Sequence, residues 1–104
     1  MDVEVRFVEG CPNAAVARQR LDLALHAVGR GDIDIRLRVV RTDTEAAELG
    51  FTGSPTILID GSDPFVHSHA MAGLSCRLYS TAHGVAGSPS VEQLTAALSG
   101  ADQT

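Results

Sequence analysis

The stretch that decides the fold is VEVRFVEGCPN, residues 3–13. Its first six residues alternate apolar and charged side chains, which is typical of a half-buried strand, and Glu9-Gly10 ends the alternation. From Ala14 to Val28 apolar residues recur at intervals of three and four, which predicts an amphipathic helix. Pro12 fits the first turn of that helix, because its φ is already helical and its missing N–H would lack a partner there. The pattern therefore predicts a strand that passes through Cys11 directly into a helix.

Cys11 is the candidate reactive residue of this strand-to-helix junction. The unpaired N–H groups and the macrodipole of a helix N-terminus favour an anion, and the thiolate is the reactive form of cysteine. Glu9 opposes this effect, because a nearby carboxylate disfavours a second negative charge. The alternative is a small buried residue that closes the strand, as free cysteines often are. We interpret Cys11 as a chemically competent thiol.

The rest of the chain predicts three more strands and two more helices, in the overall order βαβαββα. They are the strand Asp32 to Val40, the helix Glu45 to Leu49 closed by Gly50, the apolar strand that Pro55 opens, the strand Ser75 to Thr81, and the helix that begins at the capping box Ser90 to Gln93. We expect one domain over residues 1–100 and a short C-terminal tail over residues 101–104.

This order, with the sequences GCPN at residues 10–13 and LGFTGSPT at residues 49–56, resembles the thioredoxin superfamily over nearly the whole chain. The resemblance implies a thioredoxin-like α/β fold, with a four-stranded mixed sheet and helices on both faces. In that superfamily the proline that opens the third strand is cis, lies against the active-site cysteine and follows a peptide that pairs with the substrate backbone. Pro55 would be that proline.

A narrower similarity is to small thioredoxin-fold proteins that are sometimes grouped with alkylmercury lyases. The residues that carry it are CPN at 11–13, GSPT at 53–56, DG at 60–61, DPF at 63–65 and CRLY at 76–79.

The superfamily resemblance implies Cys11 as the catalytic residue and a substrate site around it. The implied substrate-binding residues are Pro12, Asn13, Ser54, Pro55, Thr56 and His83. His83 belongs to the turn before the last helix, a region that holds a glutathione carboxylate in glutaredoxin-like relatives, and it would be a proton donor or lie in solvent. The chain departs from dithiol thioredoxins because Ala14 stands where their second cysteine would be. This departure favours monothiol chemistry with no bound cofactor and with glutathione as a co-substrate.

Cys76 is the only other thiol. We expect its side chain to pack in the core, at the end of the fourth strand opposite Cys11, because six residues of strand span ~20 Å. A disulfide requires Cα atoms within ~7 Å, so the expected distance is too long. The alternative is a resolving thiol, which the long connection Gly61 to Leu74 would have to bring to Cys11. That connection is either a functional flap or a loosely ordered insertion.

A metal site is not expected, although four side chains in the second half of the chain are possible zinc ligands. They are His67, His69, Cys76 and His83. The chain has neither a CxxC pair nor an HExxH helix, and histidines in a polar loop are usually solvated.

The composition limits the partners. The net charge is −5 and there is neither a basic run nor an aromatic ladder, so nucleic acid is not expected as a partner. We find neither a signal peptide nor an apolar stretch of membrane-spanning length, and two cysteines in this context favour the cytoplasm. The charges at Glu4, Arg6, Asp34, Arg36 and Arg38 predict a solvated sheet face with cross-strand ion pairs, and a homodimer contact is the alternative.

Two classes of function remain open. The first is a monothiol thiol-disulfide oxidoreductase that acts through Cys11 on disulfide or mixed-disulfide substrates. The second is a non-catalytic module whose pocket holds a thiol, a soft metal such as mercury, or a protein partner.

Overall fold

The computed structural model describes residues 1–65 and 76–102 and has an α/β fold. Its elements are β1 (Val3–Val8), α1 (Pro12–Ala27), β2 (Ile35–Val40), α2 (Asp43–Leu49), β3 (Thr56–Ile59), β4 (Tyr79–Thr81), β5 (Gly84–Ala86) and α3 (Val91–Asp102). The predicted α/β class is confirmed. Among these residues no helix is long and apolar enough to cross a membrane.

The main sheet has three strands in the order β2-β1-β3, so the predicted four-stranded sheet is wrong. β1 runs parallel to β2 and antiparallel to β3. The fourth predicted strand pairs instead with β5 in a separate two-stranded sheet. A physical reason lies at the outer edge of β3, which is occupied at both ends: Ile59 exchanges backbone hydrogen bonds with Ser62, and the Pro55 carbonyl accepts from the Tyr79 hydroxyl.

The main core lies between the sheet and the helices α1 and α3. Its fully buried residues come from β1, β3 and both helices, and they include Val3, Val5, Leu21, Leu25, Ile57, Leu94 and Leu98. Burial of each leucine contributes about 1.5–3 kcal/mol. The apolar stripes that the sequence predicts for α1 and α3 are therefore the helix surfaces that pack against the sheet.

A smaller core forms where α2 packs, and it contains Val40, Ala46 and Phe51. Side chains alternate along a strand, so Val40 and Val39 lie on different faces of the sheet. The face that carries Val40 is the one against which Ala46 of α2 packs. The Thr42 hydroxyl accepts a hydrogen bond from the Glu45 N–H at 3.0 Å, and this cap starts α2 at Asp43, two residues before the predicted start.

The polar sheet face carries the charges expected of it. The Arg6 side chain pairs with Glu4 at 3.0 Å along β1, and Arg36 and Arg38 of β2 are exposed. In the parallel register Glu4 lies beside Arg36 and Arg6 beside Arg38.

Several predicted boundaries differ from the structure. β2 begins at Ile35 and not at Asp32, because a turn precedes it in which Ile33 donates to the Arg30 carbonyl. α3 continues through Asp102, into the segment predicted as a tail. His67, His69, Ser75 and most of the connection Gly61 to Leu74 lie outside the described residues.

Candidate active site

Cys11 occupies the junction that the sequence predicts. Its backbone N–H donates to the Val8 carbonyl at 3.1 Å, which closes a tight turn at the end of β1. Cys11 is the N-cap residue of α1, with φ −69° and ψ 115°, and Pro12 follows in the first turn. The half-buried Cys11 side chain makes no capping hydrogen bond within the described chain, so the thiol sits unengaged at the helix N-terminus.

A groove of about 610 Å³ runs from Cys11 along α1, between the helix and the sheet. We call it the Cys11 groove; its lining residues are Phe7, Ile35 and Leu37 from the sheet and Cys11, Ala14, Ala15, Arg18, Gln19 and Asp22 from α1 and its cap. The two alanines are short, so the helix leaves apolar sheet residues accessible, and Leu37 is 51% exposed. The volume lies within the range of small-molecule binding pockets.

The loop Gly53 to Thr56 lies beside β1 at the same end of the sheet. The Ser54–Pro55 peptide bond is cis, the isomer that the resemblance implies. The Ser54 hydroxyl accepts from the Val8 N–H at 3.0 Å, and the Thr56 hydroxyl donates to the Gly53 carbonyl at 2.5 Å. All three of Ser54, Pro55 and Thr56 are buried, so their side chains build the loop and offer little surface to a ligand.

The other side of this loop is held by a group that sequence reasoning missed, the Arg77 cluster, which consists of Asp63, Phe65, Arg77 and Tyr79. The buried Arg77 guanidinium forms an ion pair with Asp63 and donates to the Phe65 carbonyl at 2.7 Å. It also lies 4.6 Å from the centre of the Tyr79 ring, and the planes of the Tyr79 and Phe65 rings are perpendicular in an edge-to-face contact. The charge of Arg77 is therefore neutralised by Asp63, and its guanidinium lies over an aromatic ring.

Two contacts connect the Arg77 cluster to the loop. The Arg77 backbone N–H donates to the Ser54 carbonyl at 2.9 Å, and the Tyr79 hydroxyl donates to the Pro55 carbonyl at 2.5 Å. Burial raises the pKa of Tyr79 far above its ordinary value, which keeps the hydroxyl protonated as a donor. A Cβ at Gly53 would lie 2.8 Å from the Arg77 Cβ, and φ of Gly53 is +128°, so both space and backbone favour glycine there.

The segment Cys76 to Tyr79, which leads into β4, alternates between exposed and buried side chains. Arg77 and Tyr79 are buried, whereas Cys76 and Leu78 are exposed. The prediction that Cys76 packs in the core is wrong because Arg77 turns inward to its ion-pair partner Asp63, which lies 14 residues earlier in the chain. In the sequence CRLY, Arg77 and Tyr79 alternate with Cys76 and Leu78, and this alternation is the sequence signal that Arg77 and Tyr79 share one face.

Cys76 is therefore neither in the core nor at the far end of the sheet, and both predictions are wrong. It forms a parallel β-bridge with Ser54, whose hydroxyl contacts Val8, so it lies at the same end as Cys11. Ser54, which extends the line of β3, nevertheless lies between Cys76 and β1, and this places Cys76 about two strand spacings or 10 Å from β1. Cys11 faces the groove on the β2 side, which points away from Cys76. A disulfide requires Cα atoms within ~7 Å, so this arrangement keeps the thiols apart.

Asn13 and His83 belong to a different part of the surface. The Asn13 side chain lies against Gly87, where an added Cβ would be only 2.3 Å from Asn13 Nδ2. His83 is exposed and lines a second groove of about 340 Å³, the α3 groove, together with Arg20, Ser90 and Glu92. Cys11 and His83 thus line separate grooves, and the contact of Asn13 with Gly87 connects the two helix starts.

The start of α3 carries the predicted capping box, which is confirmed. Ser90 N–H donates to Gln93 Oε1 at 2.9 Å, and Gln93 N–H donates to the Ser90 hydroxyl at 3.1 Å. Two of the backbone donors at this helix start are therefore already satisfied. Arg20 of α1 donates to the carbonyls of Ser88 and Pro89 and so fixes the approach to the helix.

Within residues 1–65 and 76–102 there is no group of three or more His, Cys, Asp or Glu side chains that could hold a metal ion. Two of the candidate ligands, His67 and His69, lie outside those ranges. Comparisons with protein-family models, with curated proteins and with solved structures give no match.

Proposed function

We propose that this chain is a thioredoxin-like monothiol thiol-disulfide oxidoreductase in which Cys11 is the nucleophile. The observation that carries the proposal is a thiol at the N-terminus of α1, unengaged in capping, at the end of the Cys11 groove. A helix N-terminus favours the thiolate, and the groove offers room for the group attached to a substrate sulfur. The loop resemblance at residues 49–56 supports the same chemistry.

The proposed reaction has two balanced steps. The Cys11 thiolate attacks one sulfur of a substrate disulfide, forms a mixed disulfide and releases the other sulfur as a thiolate. An external thiol of the glutathione class then attacks the substrate sulfur of the mixed disulfide, forms a disulfide with the bound half of the substrate and releases the Cys11 thiolate. Ala14 occupies the position of the usual second cysteine, and Cys76 lies beyond disulfide distance from Cys11, so the proposed reductant is an external thiol.

The surrounding residues take different parts in this proposal. Pro12 follows the thiol in the first turn of α1, and Asn13 packs against Gly87. The buried residues Ser54, Pro55 and Thr56 form a rigid wall at the same end of the sheet. The carbonyls of Ser54 and Pro55 already accept hydrogen bonds from Arg77 and Tyr79, so substrate recognition rests mainly on the Cys11 groove. His83 and the α3 groove are the proposed place for a carboxylate of the external thiol.

The test is treatment of the protein with oxidised glutathione, followed by intact-mass and peptide mass spectrometry. We expect one adduct on Cys11, released by excess thiol, absent in Cys11→Ser and present in Cys76→Ser. Multiple turnovers with glutathione would distinguish an oxidoreductase from a module that only binds thiols. An adduct confined to Cys76, or an intramolecular disulfide, would contradict the monothiol proposal.

A further inference from the structure

The outer edge of β2 is free in the described part of the chain. The sheet order is β2-β1-β3, so β2 pairs with β1 on one side only. The middle of the strand, Arg36 to Arg38, is exposed. An edge strand presents unpaired N–H and C=O groups that can accept another strand.

The sequence at this edge is complementary to itself in the antiparallel direction. Residues 32–38 read DIDIRLR, with two acidic residues first, two arginines last and apolar residues between them. When two copies are paired around Ile35, Asp32 lies opposite the partner's Arg38 and Asp34 opposite the partner's Arg36. Each of these pairs occurs twice because of the symmetry, so all four charges of each copy meet an opposite charge.

We propose that two copies of this chain form a dimer by antiparallel pairing of their β2 edges, about a two-fold axis that passes beside Ile35 and perpendicular to the sheet. This arrangement joins two three-stranded sheets into one of six strands. It rests on the charge pattern and the free edge and does not depend on thiol chemistry at Cys11.

The charges select this register over its neighbours. A shift that centres the pairing on Leu37 places Arg36 opposite the partner's Arg38, twice. A shift that centres it on Arg36 places that residue opposite its own copy, and a shift in the other direction does the same for Asp34. Like charges directly opposite each other destabilise a strand pair, so the register centred on Ile35 is favoured.

The apolar residues of the same segment agree with this register. Ile33, Ile35 and Leu37 share one face of the strand, where the pairing places Ile35 beside its own copy and Leu37 beside the partner's Ile33. Leu37 is 51% exposed in the single chain, and Ile35 is half-buried. The dimer would cover this apolar surface and extend the floor of each Cys11 groove with a residue from the partner.

The pairing requires a small change before β2. The strand begins at Ile35 in the single chain, and a turn at Ile33 precedes it. Cross-strand bonds to the partner would lengthen the strand toward Ile33, which the alternation of residues 32–34 allows.

A pair of charge-reversed variants tests the proposal by analytical ultracentrifugation under reducing conditions. Arg36→Asp with Arg38→Asp makes the segment acidic throughout, and Asp32→Arg with Asp34→Arg makes it basic throughout. We expect the unmodified chain to dimerise, each variant alone to dimerise more than about tenfold more weakly, and an equimolar mixture to form the heterodimer. Circular dichroism checks that both variants fold.

Three outcomes would overturn the proposal. The first is an unmodified chain that stays monomeric at all concentrations measured, which would mean that the charges only protect an edge strand from association. The second is a dimer that neither variant weakens. The third is a mixture of two folded variants that fails to associate. If a variant does not fold, the single changes Arg36→Asp and Asp34→Arg provide a milder matched pair.

Discussion

The two sides of the β1 end differ in how completely their groups are used. On the side of Pro55, the hydroxyls of Ser54 and Thr56 and the carbonyls of Ser54 and Pro55 all have partners, and the Arg77 cluster is buried. On the side of Cys11, the thiol has no capping bond among the described residues, and the groove beside it is open. A fixed wall and an accessible thiol are what a substrate-binding site requires. The Pro55 side is therefore fixed by its own contacts, and the Cys11 side is the one that we propose to be reactive.

Removal of the Cys11 thiol should have the largest effect on activity. Cys11→Ser should abolish thiol transfer from a mixed-disulfide substrate, because an alcohol cannot replace the thiolate nucleophile. Cys76→Ser is the matched control and should leave turnover largely intact. An equal loss of turnover in both variants would show that the exposed thiol takes part and would remove the distinction between the two sides.

Disruption of the Arg77 cluster should have the largest effect on stability. Arg77→Ala leaves the Asp63 carboxylate without its partner, and we expect a loss of about 3 kcal/mol in the free energy of unfolding. Arg41→Ala, at an exposed position before α2, should change it by less than about 0.5 kcal/mol. Urea denaturation measures both. Similar free energies of unfolding for the two variants would mean that the Arg77–Asp63 ion pair does not stabilise the loop Gly53 to Thr56.

A larger side chain in the groove should affect substrate binding and spare the fold. Ala15 is exposed and lines the Cys11 groove, so Ala15→Phe should raise KM about tenfold, while circular dichroism stays unchanged. Ala27 is also exposed and lies at the end of α1, away from the groove, which makes Ala27→Phe the control. If KM is the same in both variants, the substrate binds elsewhere.

The smallest effect is expected at Tyr79. Tyr79→Phe removes the hydrogen bond to the Pro55 carbonyl and should lower the free energy of unfolding by about 1 kcal/mol near neutral pH. Burial raises the pKa of Tyr79 in the folded state, so the unfolded chain loses this proton first, near pH 10. The parent chain should therefore lose stability as the pH rises above about 10, and the variant should lose less. Parallel pH profiles would contradict the burial of this hydroxyl.

The features that the sequence predicts well are local. The alternation in β1, the proline at the start of α1 and the capping box of α3 each depend on residues within a few positions, and the structure contains all three. The errors involve distant partners. Arg77 is buried because Asp63 neutralises it, and Tyr79 turns inward because the Pro55 carbonyl accepts its hydroxyl. Neither contact could be deduced from periodicity, which is why the separate β4-β5 hairpin and the exposure of Cys76 were missed.

The most direct test of the central claim compares the two thiols within one chain. Cys76 is exposed and Cys11 is half-buried, so accessibility alone would make Cys76 react faster with iodoacetamide. Activation at the N-terminus of α1 predicts the reverse order at neutral pH. Peptide mass spectrometry after brief labelling measures both rates in the same sample. Faster labelling of Cys11 is the result that we expect, and faster labelling of Cys76 would contradict the assignment of Cys11 as the activated nucleophile.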